Sequence, residues 1–180
     1  FYKIALEKGL IPEDIKNNKI HIRNYLRSQN KDNEFTLLQS EVYGKRILEA
    51  KPAPNIFDTL QKIKANFKLI IISHKTKYPY SGTKYDLHKS ALLWLEENNF
   101  LSKEGLNIRR DDIYFEPTKE KKLLRIKESG CSYFIDDLPE ILSLINSSVF
   151  RIHYTNNQFY ENNQFEGLMA DWKNLQEIIG

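Results

Sequence analysis

From residue 68 onward the chain alternates short runs of β-branched and aromatic residues with stretches whose apolar residues recur at helical spacing, and this alternation restricts the fold more than any other feature. The strand candidates are "KLIIIS" (68–73), "DIYFE" (112–116), "SYFID" (132–136) and "VFRIHY" (149–154). Between them, Leu87, Ala91, Trp94, Leu95 and Asn98 share one helical face, Leu123 and Ile126 mark a second, and Leu138, Ile141, Leu142 and Ile145 mark a third. "MADWKNLQEIIG" adds a closing helix. Strands that alternate with helices predict an α/β fold, a doubly wound parallel sheet covered on both faces.

The first fifty residues follow another pattern. "FYKIALEKG", "KIHIRNYLRSQ" and "FTLLQSEVYGKRILEA" read as helices, with no clear strand among them. "KPAPN" (51–55) is the natural boundary, because two prolines interrupt helical continuity before a helix marked by Ile56, Leu60 and Ile63. The expected organisation is a small helical segment at 1–50 followed by an α/β core at 51–180. The polar stretch "TNNQFYENNQ" reads as a loop.

With 41% hydrophobic and 28% charged residues the chain is expected to bury an ordinary globular core rather than stay disordered. Its longest apolar stretch, within "FKLIII", is too short to span a bilayer, so no membrane partner is expected. The single Cys131 cannot form an internal disulfide and no signal-peptide pattern opens the chain, which points to a cytoplasmic, reducing compartment. A net charge of +3 is no nucleic-acid footprint by itself, although lysines could line a phosphate-binding mouth.

Ligands of open α/β sheets bind outside the carboxyl ends of the strands. Standing there are Ser73 and His74, then Glu116 to Thr118, then Asp136 and Asp137, with His153 near the end of the fourth strand. The adjacent carboxylates of "FIDDLPEIL" have two explanations: a cap and turn before a proline-led helix, or a pair held for cation or phosphate chemistry. "EPTKEKKLL" sets Lys119, Lys121 and Lys122 near a helix start, where the macrodipole disfavours cations. Either they form a solvated face, or an anionic phosphate reverses the sign of that cost. His21, His74, His88 and His153 show no zinc-ligand spacing. His74 follows Ser73 directly and could reach a substrate or play a structural part. Lys75, Tyr78, Tyr80 and Tyr85 could line a substrate mouth or form a packed surface turn. Cys131, just before a strand, is read as a packing residue.

In order and placement, "KLIIISHKTKYPYSG", "TKEKKLLRIKESG" and "YFIDDLPEIL" resemble motifs two, three and four of the haloacid dehalogenase-like (HAD) superfamily of phosphohydrolases, over roughly residues 54–155. Phe1–Ala50 then takes the place of a small helical cap. The resemblance implies that Ser73 binds an oxygen of the transferring phosphoryl group and that Lys122 neutralises it. Lys122 is preferred over Lys119 because it stands 14 residues before Asp136 (136 − 122), closer to the family spacing. Asp136 and Asp137 would complete a Mg²⁺ site, Asp137 as the direct ligand, while His74, Lys75 and Lys119 are candidates to touch the substrate, a small phosphomonoester such as a nucleotide.

Motif one, a strand ending in Asp-x-Asp that supplies the nucleophile and the acid/base, has no counterpart among these residues. The expectation is that it lies upstream of Phe1. The alternative is a catalytically inactive HAD-like module that binds nucleotide or nucleic acid. A phosphorelay receiver would need the acidic pair on its first strand and the lysine last, and the order here is Ser, Lys, Asp-Asp.

Overall fold

In the computed structural model, residues 1–155 and 167–179 are described. Except for Thr155, the polar stretch read above as a loop lies outside them. The chain divides into two compact units, Phe1–Lys51 with Thr76–Glu97, and Pro52–Lys75 with Asn98–Gly180. Lys51 is thus one junction, and 76–97 groups with the first fifty residues. No helix among the described residues is long and apolar enough to cross a membrane.

The first unit is helical: α1 (Tyr2–Glu7), α2 (Lys19–Ser28), α3 (Asp32–Tyr43), a 3-10 turn (Ile47–Glu49) and, from the second segment, α5 (Leu87–Glu97). The Asn18 side chain starts α2 by accepting the Ile20 N–H at 2.7 Å, which satisfies an amide the helix itself leaves open. Ile4, Ala5, Ile22, Leu26, Phe35, Leu38 and Val42 form the core of α1–α3. Gly44 ends α3 where a Cβ would meet the Tyr85 ring and the Ser40 carbonyl at 2.6 Å, so a side chain there would displace the packed ring.

Arg46 binds the carboxylates of both Glu7 and Glu49, and Lys3 adds a 3.4 Å contact to Glu49. The Arg46 hydrogen bond holds the Glu49 carboxyl at about 2, below its ordinary 4.5, and Glu7 is lowered for the same first cause. Because folding depresses these pKa values, the network contributes stability above the ordinary carboxylate range and loses it as pH falls from about 4.5 towards 2. Thermal melts at pH 6 and pH 3 should therefore differ less for Arg46→Met than for the wild type; equal pH sensitivity would remove this network from the stability of the helical unit.

The second unit carries the strands. Its elements are α4 (Ile56–Ile63), β1 (Ile71–His74), β2 (Ile113–Glu116), α6 (Lys119–Ser129), β3 (Tyr133–Asp136), α7 (Pro139–Leu142), β4 (Phe150–Tyr154), β5 (Leu168–Ala170) and α8 (Trp172–Ile179). All strand pairs are parallel. Ile71 faces Ile113 and His74 faces Glu116 in one sheet; Tyr133 faces Phe150 and Asp136 faces His153 in the other, which β5 extends. Helices cover both faces, as the periodicity requires of buried parallel strands. Ile72, Phe134 and Ile126 pack with Ile141, Leu142 and Ile145 of the α7 region on one side, while Leu69, Tyr133, Ile135 and Ile152 pack with Ile63, Leu175 and Ile179 on the other.

These observations establish an α/β arrangement of small parallel sheets, with one difference from the expected single sheet. Among the described residues the strands form two sheets, β1–β2 and β3–β4–β5. The physical reason is that no described strand lies between β1 and β3, although Ile72 of β1 and Phe134 of β3 belong to the same core. β5 was also not expected; its three residues, with Leu168 and Met169 exposed, carry too little alternation to stand out.

Candidate functional site

Thr118 caps α6, its hydroxyl accepting the Lys121 N–H at 3.2 Å, and Gly130 ends the helix at φ 60°, a left-handed conformation that suits glycine. The cap fixes where the three lysines point. Lys119 lies in the first turn, exposed, and pairs with Glu140 at 3.1 Å. Lys122, one turn further, faces inward: its ammonium lies 5.6 Å from the Phe134 ring centroid and forms an ion pair with Asp136. The two side chains are 6% and 7% exposed, so this pair is buried, whereas Lys119–Glu140 is a solvated one.

Asp136 makes the turn that the first explanation of the acidic pair calls for and, in addition, the ion pair with Lys122. One carboxylate oxygen receives Lys122 and the other accepts the Leu138 N–H at 3.0 Å, a local turn that sets up the proline-led α7. Burial pushes the Asp136 carboxyl above its ordinary range, with the Lys122 attraction acting in the opposite direction. Desolvation prevails, as is common for buried ion pairs, which seldom contribute net stability compared with an apolar pair of similar size. A lysine and an aspartate kept in this position at energetic cost are a reason to look for chemistry there.

Around the pair, Asp137 is exposed, and His153, fully buried, stands opposite Asp136 in the β3–β4 register. Ser73 is half-buried at the C-terminal end of β1, followed by the exposed His74 and by Lys75, whose backbone N–H donates to the Glu116 carbonyl at 2.8 Å. His74 lies near the start of α6. The Glu120 carboxyl there is lowered chiefly by its own backbone N–H and the Thr118 hydroxyl, with His74 a smaller attraction. The structure thus joins Lys122 to Asp136 directly and sets Asp137 beside them. It places Ser73, His74 and Lys75 at the end of the neighbouring sheet, where no hydrogen bond among the described residues links Ser73 to the ion pair.

Two charged partners were not singled out from sequence. Arg125 donates to Glu116 at 2.9 Å while covering the Tyr114 ring at 4.6 Å, and Glu140 receives Lys119. Arg125 falls on the α6 face one turn beyond Lys121, so helical spacing combined with a strand ending at Glu116 was the available signal.

No group of three or more His, Cys, Asp or Glu side chains among the described residues could hold a metal ion. Asp136 has both oxygens engaged, and Asp137 beside it is exposed. Mg²⁺ keeps several waters and takes one or two carboxylates plus phosphate oxygens, so a sparse acidic pair would suit it better than it would suit zinc. Comparison with family models, curated proteins and solved structures found no match.

Proposed function

We propose that the protein is a Mg²⁺-dependent, HAD-like phosphohydrolase with a doubly wound core, acting on a small phosphomonoester. The single observation that carries this reading is the buried Lys122–Asp136 pair at the strand ends beside Asp137. Ser73, at the end of β1, donates its hydroxyl to one phosphoryl oxygen. Lys122 supplies positive charge to the equatorial oxygens, where charge shifts as the bond to the leaving oxygen breaks. Mg²⁺ held at Asp137 would neutralise phosphate charge. The attacking carboxylate is not among the residues named above; in this reaction class it bonds to phosphorus as the alcohol leaves with a proton, and water then cleaves the acyl phosphate to release inorganic phosphate and restore the carboxylate. The exposed His74 and Lys119 and the half-buried Lys75 would meet the rest of the substrate.

Calorimetric titration tests the metal part. Asp137→Asn should weaken Mg²⁺ binding by about tenfold or more, since losing a ligand costs at least as much as losing a residue that orients one. Equal affinity in wild type and variant would end the assignment. Mg²⁺-independent, strongly salt-dependent binding of polyanions would favour the binding-module alternative instead.

A further inference from the structure

We infer that the loop at 77–87, carried by the helical unit, binds single-stranded nucleic acid: Tyr78 and Tyr80 offer their rings to bases, while Lys77, Lys84 and Lys89 meet phosphates. This goes beyond the phosphohydrolase reading and does not rest on it, because none of these residues belongs to the site built from Ser73, Lys122 and Asp137.

The rings come first. Tyr80 is 84% exposed and Tyr78 47%, whereas the Tyr85 ring packs against Gly44. A packed surface turn thus accounts for Tyr85 and leaves the other two in water. A single exposed ring is ordinary on a protein surface. Here two rings flank Pro79, which fixes its own φ and keeps the Tyr78 backbone extended, so less freedom is lost when a partner settles on them.

The loop is also held in place. The Leu87 N–H donates to the Lys77 carbonyl at 2.8 Å and closes its base, and the Thr76 hydroxyl donates to the Tyr78 carbonyl at 2.9 Å. From α3, the Ser40 hydroxyl donates to the Thr83 carbonyl at 3.3 Å, and Asn33 accepts the Ser81 hydroxyl at 3.3 Å. Compact loops pinned at both ends are frequent carriers of binding function.

The lysines define the charge of the partner. Of the 27 basic and 24 acidic residues, four lysines and one aspartate fall within 74–89, which leaves 23 of each sign elsewhere (27 − 4 and 24 − 1). The whole formal excess of +3 therefore lies in this segment. Its one acid, Asp86, is turned to the start of α5, where it accepts the Lys89 N–H at 3.0 Å. Lys77, Lys84 and Lys89 are exposed, and the Lys77 ammonium stands 5.5 Å from the Tyr78 ring centroid. A cation beside an open aromatic face is the combination that holds single strands, taking a phosphate and stacking a base.

Other anions fit less well. A free nucleotide draws its affinity from enclosure in a concave pocket, and a ring as exposed as Tyr80 encloses nothing. A duplex keeps its base faces within its own stack. An acidic peptide would satisfy the lysines and leave the rings bare. A single strand supplies both spaced phosphates and open base faces.

Fluorescence anisotropy of labelled oligothymidylate and oligouridylate with the full-length protein, across a salt series, tests the inference and separates DNA from RNA. Tyr78→Ala and Tyr80→Ala should each weaken strand binding by about fivefold or more, and Tyr80→Phe, which keeps the ring, should bind as wild type does. Lys77→Ala and Lys84→Ala should each flatten the slope of log affinity against log salt by about 0.7. Absence of strand binding at low salt would overturn the inference. So would strand binding that both tyrosine variants retain in full, since it would belong to another part of the molecule. Equally tight binding of the oligothymidylate–oligoadenylate duplex, or equal competition by polyglutamate, the sign of an acidic protein partner, would overturn it as well.

Discussion

Replacing Lys122 with methionine should destabilise the protein by about 3–5 kcal/mol at pH 7, the usual cost of leaving one member of a buried ion pair without its partner. Asp136 is the reason. Its side chain is 7% exposed, and once the ammonium is gone no opposite charge offsets its desolvation. The carboxyl, already raised by burial, then takes up a proton more readily. A group whose pKa is raised on folding stabilises the native state below its unfolded pKa and loses that contribution as pH rises through the folded value. The Lys122→Met defect should accordingly be smaller at pH 5 than at pH 7. Lys122→Met/Asp136→Asn should recover about 2 kcal/mol of the single variant's loss, because the amide keeps an oxygen for the Leu138 N–H without a buried charge. Urea denaturation of the four proteins of this cycle decides the matter. Strictly additive losses would mean that the pair is not coupled.

The strands β1 to β4 were legible in the sequence because each is a compact apolar run bounded by polar residues, and buried parallel strands demand such runs. Their partners were not legible. Periodicity shows that "LIIIS" and "YFID" are strands, but whether they share an edge depends on what lies between them in space, and no local pattern records that. β5 escaped for a related reason: "LMA" is short and half exposed, and its place is fixed by pairing with Ile152 and Tyr154 of β4. The segment 76–97 shows the limit of reading boundaries from prolines. "KPAPN" marks one junction, while nothing in "HKTKYPYSG" announces that the chain passes to the helical unit and back.

At the site, Lys122 was preferred over Lys119 on the family-like interval to Asp136, and it is Lys122 that pairs with Asp136 in the structure. Three residues separate them, nearly one turn; only Lys122 lies far enough along α6 to reach the end of β3 over the Phe134 ring, while Lys119 stays at the rim with Glu140. The turn at "DDLP" was legible and the Leu138 N–H bond to Asp136 forms it; the ion pair that the other Asp136 oxygen makes with Lys122 was not read from the sequence.

The second large effect concerns catalysis. Lys122→Arg retains a cation beside Asp136 and so avoids the folding defect, but a planar guanidinium cannot place its charge where a single ammonium stood. If Lys122 acts on the transferring phosphoryl group, this variant should lose about 10²–10³-fold in kcat with little change in KM, because the interaction strengthens in the transition state. Lys119→Met, at the solvated rim, should stay within a few-fold of wild type in kcat. The most direct measurement is steady-state turnover of an aryl phosphate, with and without Mg²⁺, by the full-length protein and by these two variants. The phosphohydrolase account predicts Mg²⁺-dependent turnover that collapses in Lys122→Arg and persists in Lys119→Met; absence of Mg²⁺-dependent turnover in the wild type, or a fully active Lys122→Arg, would contradict it.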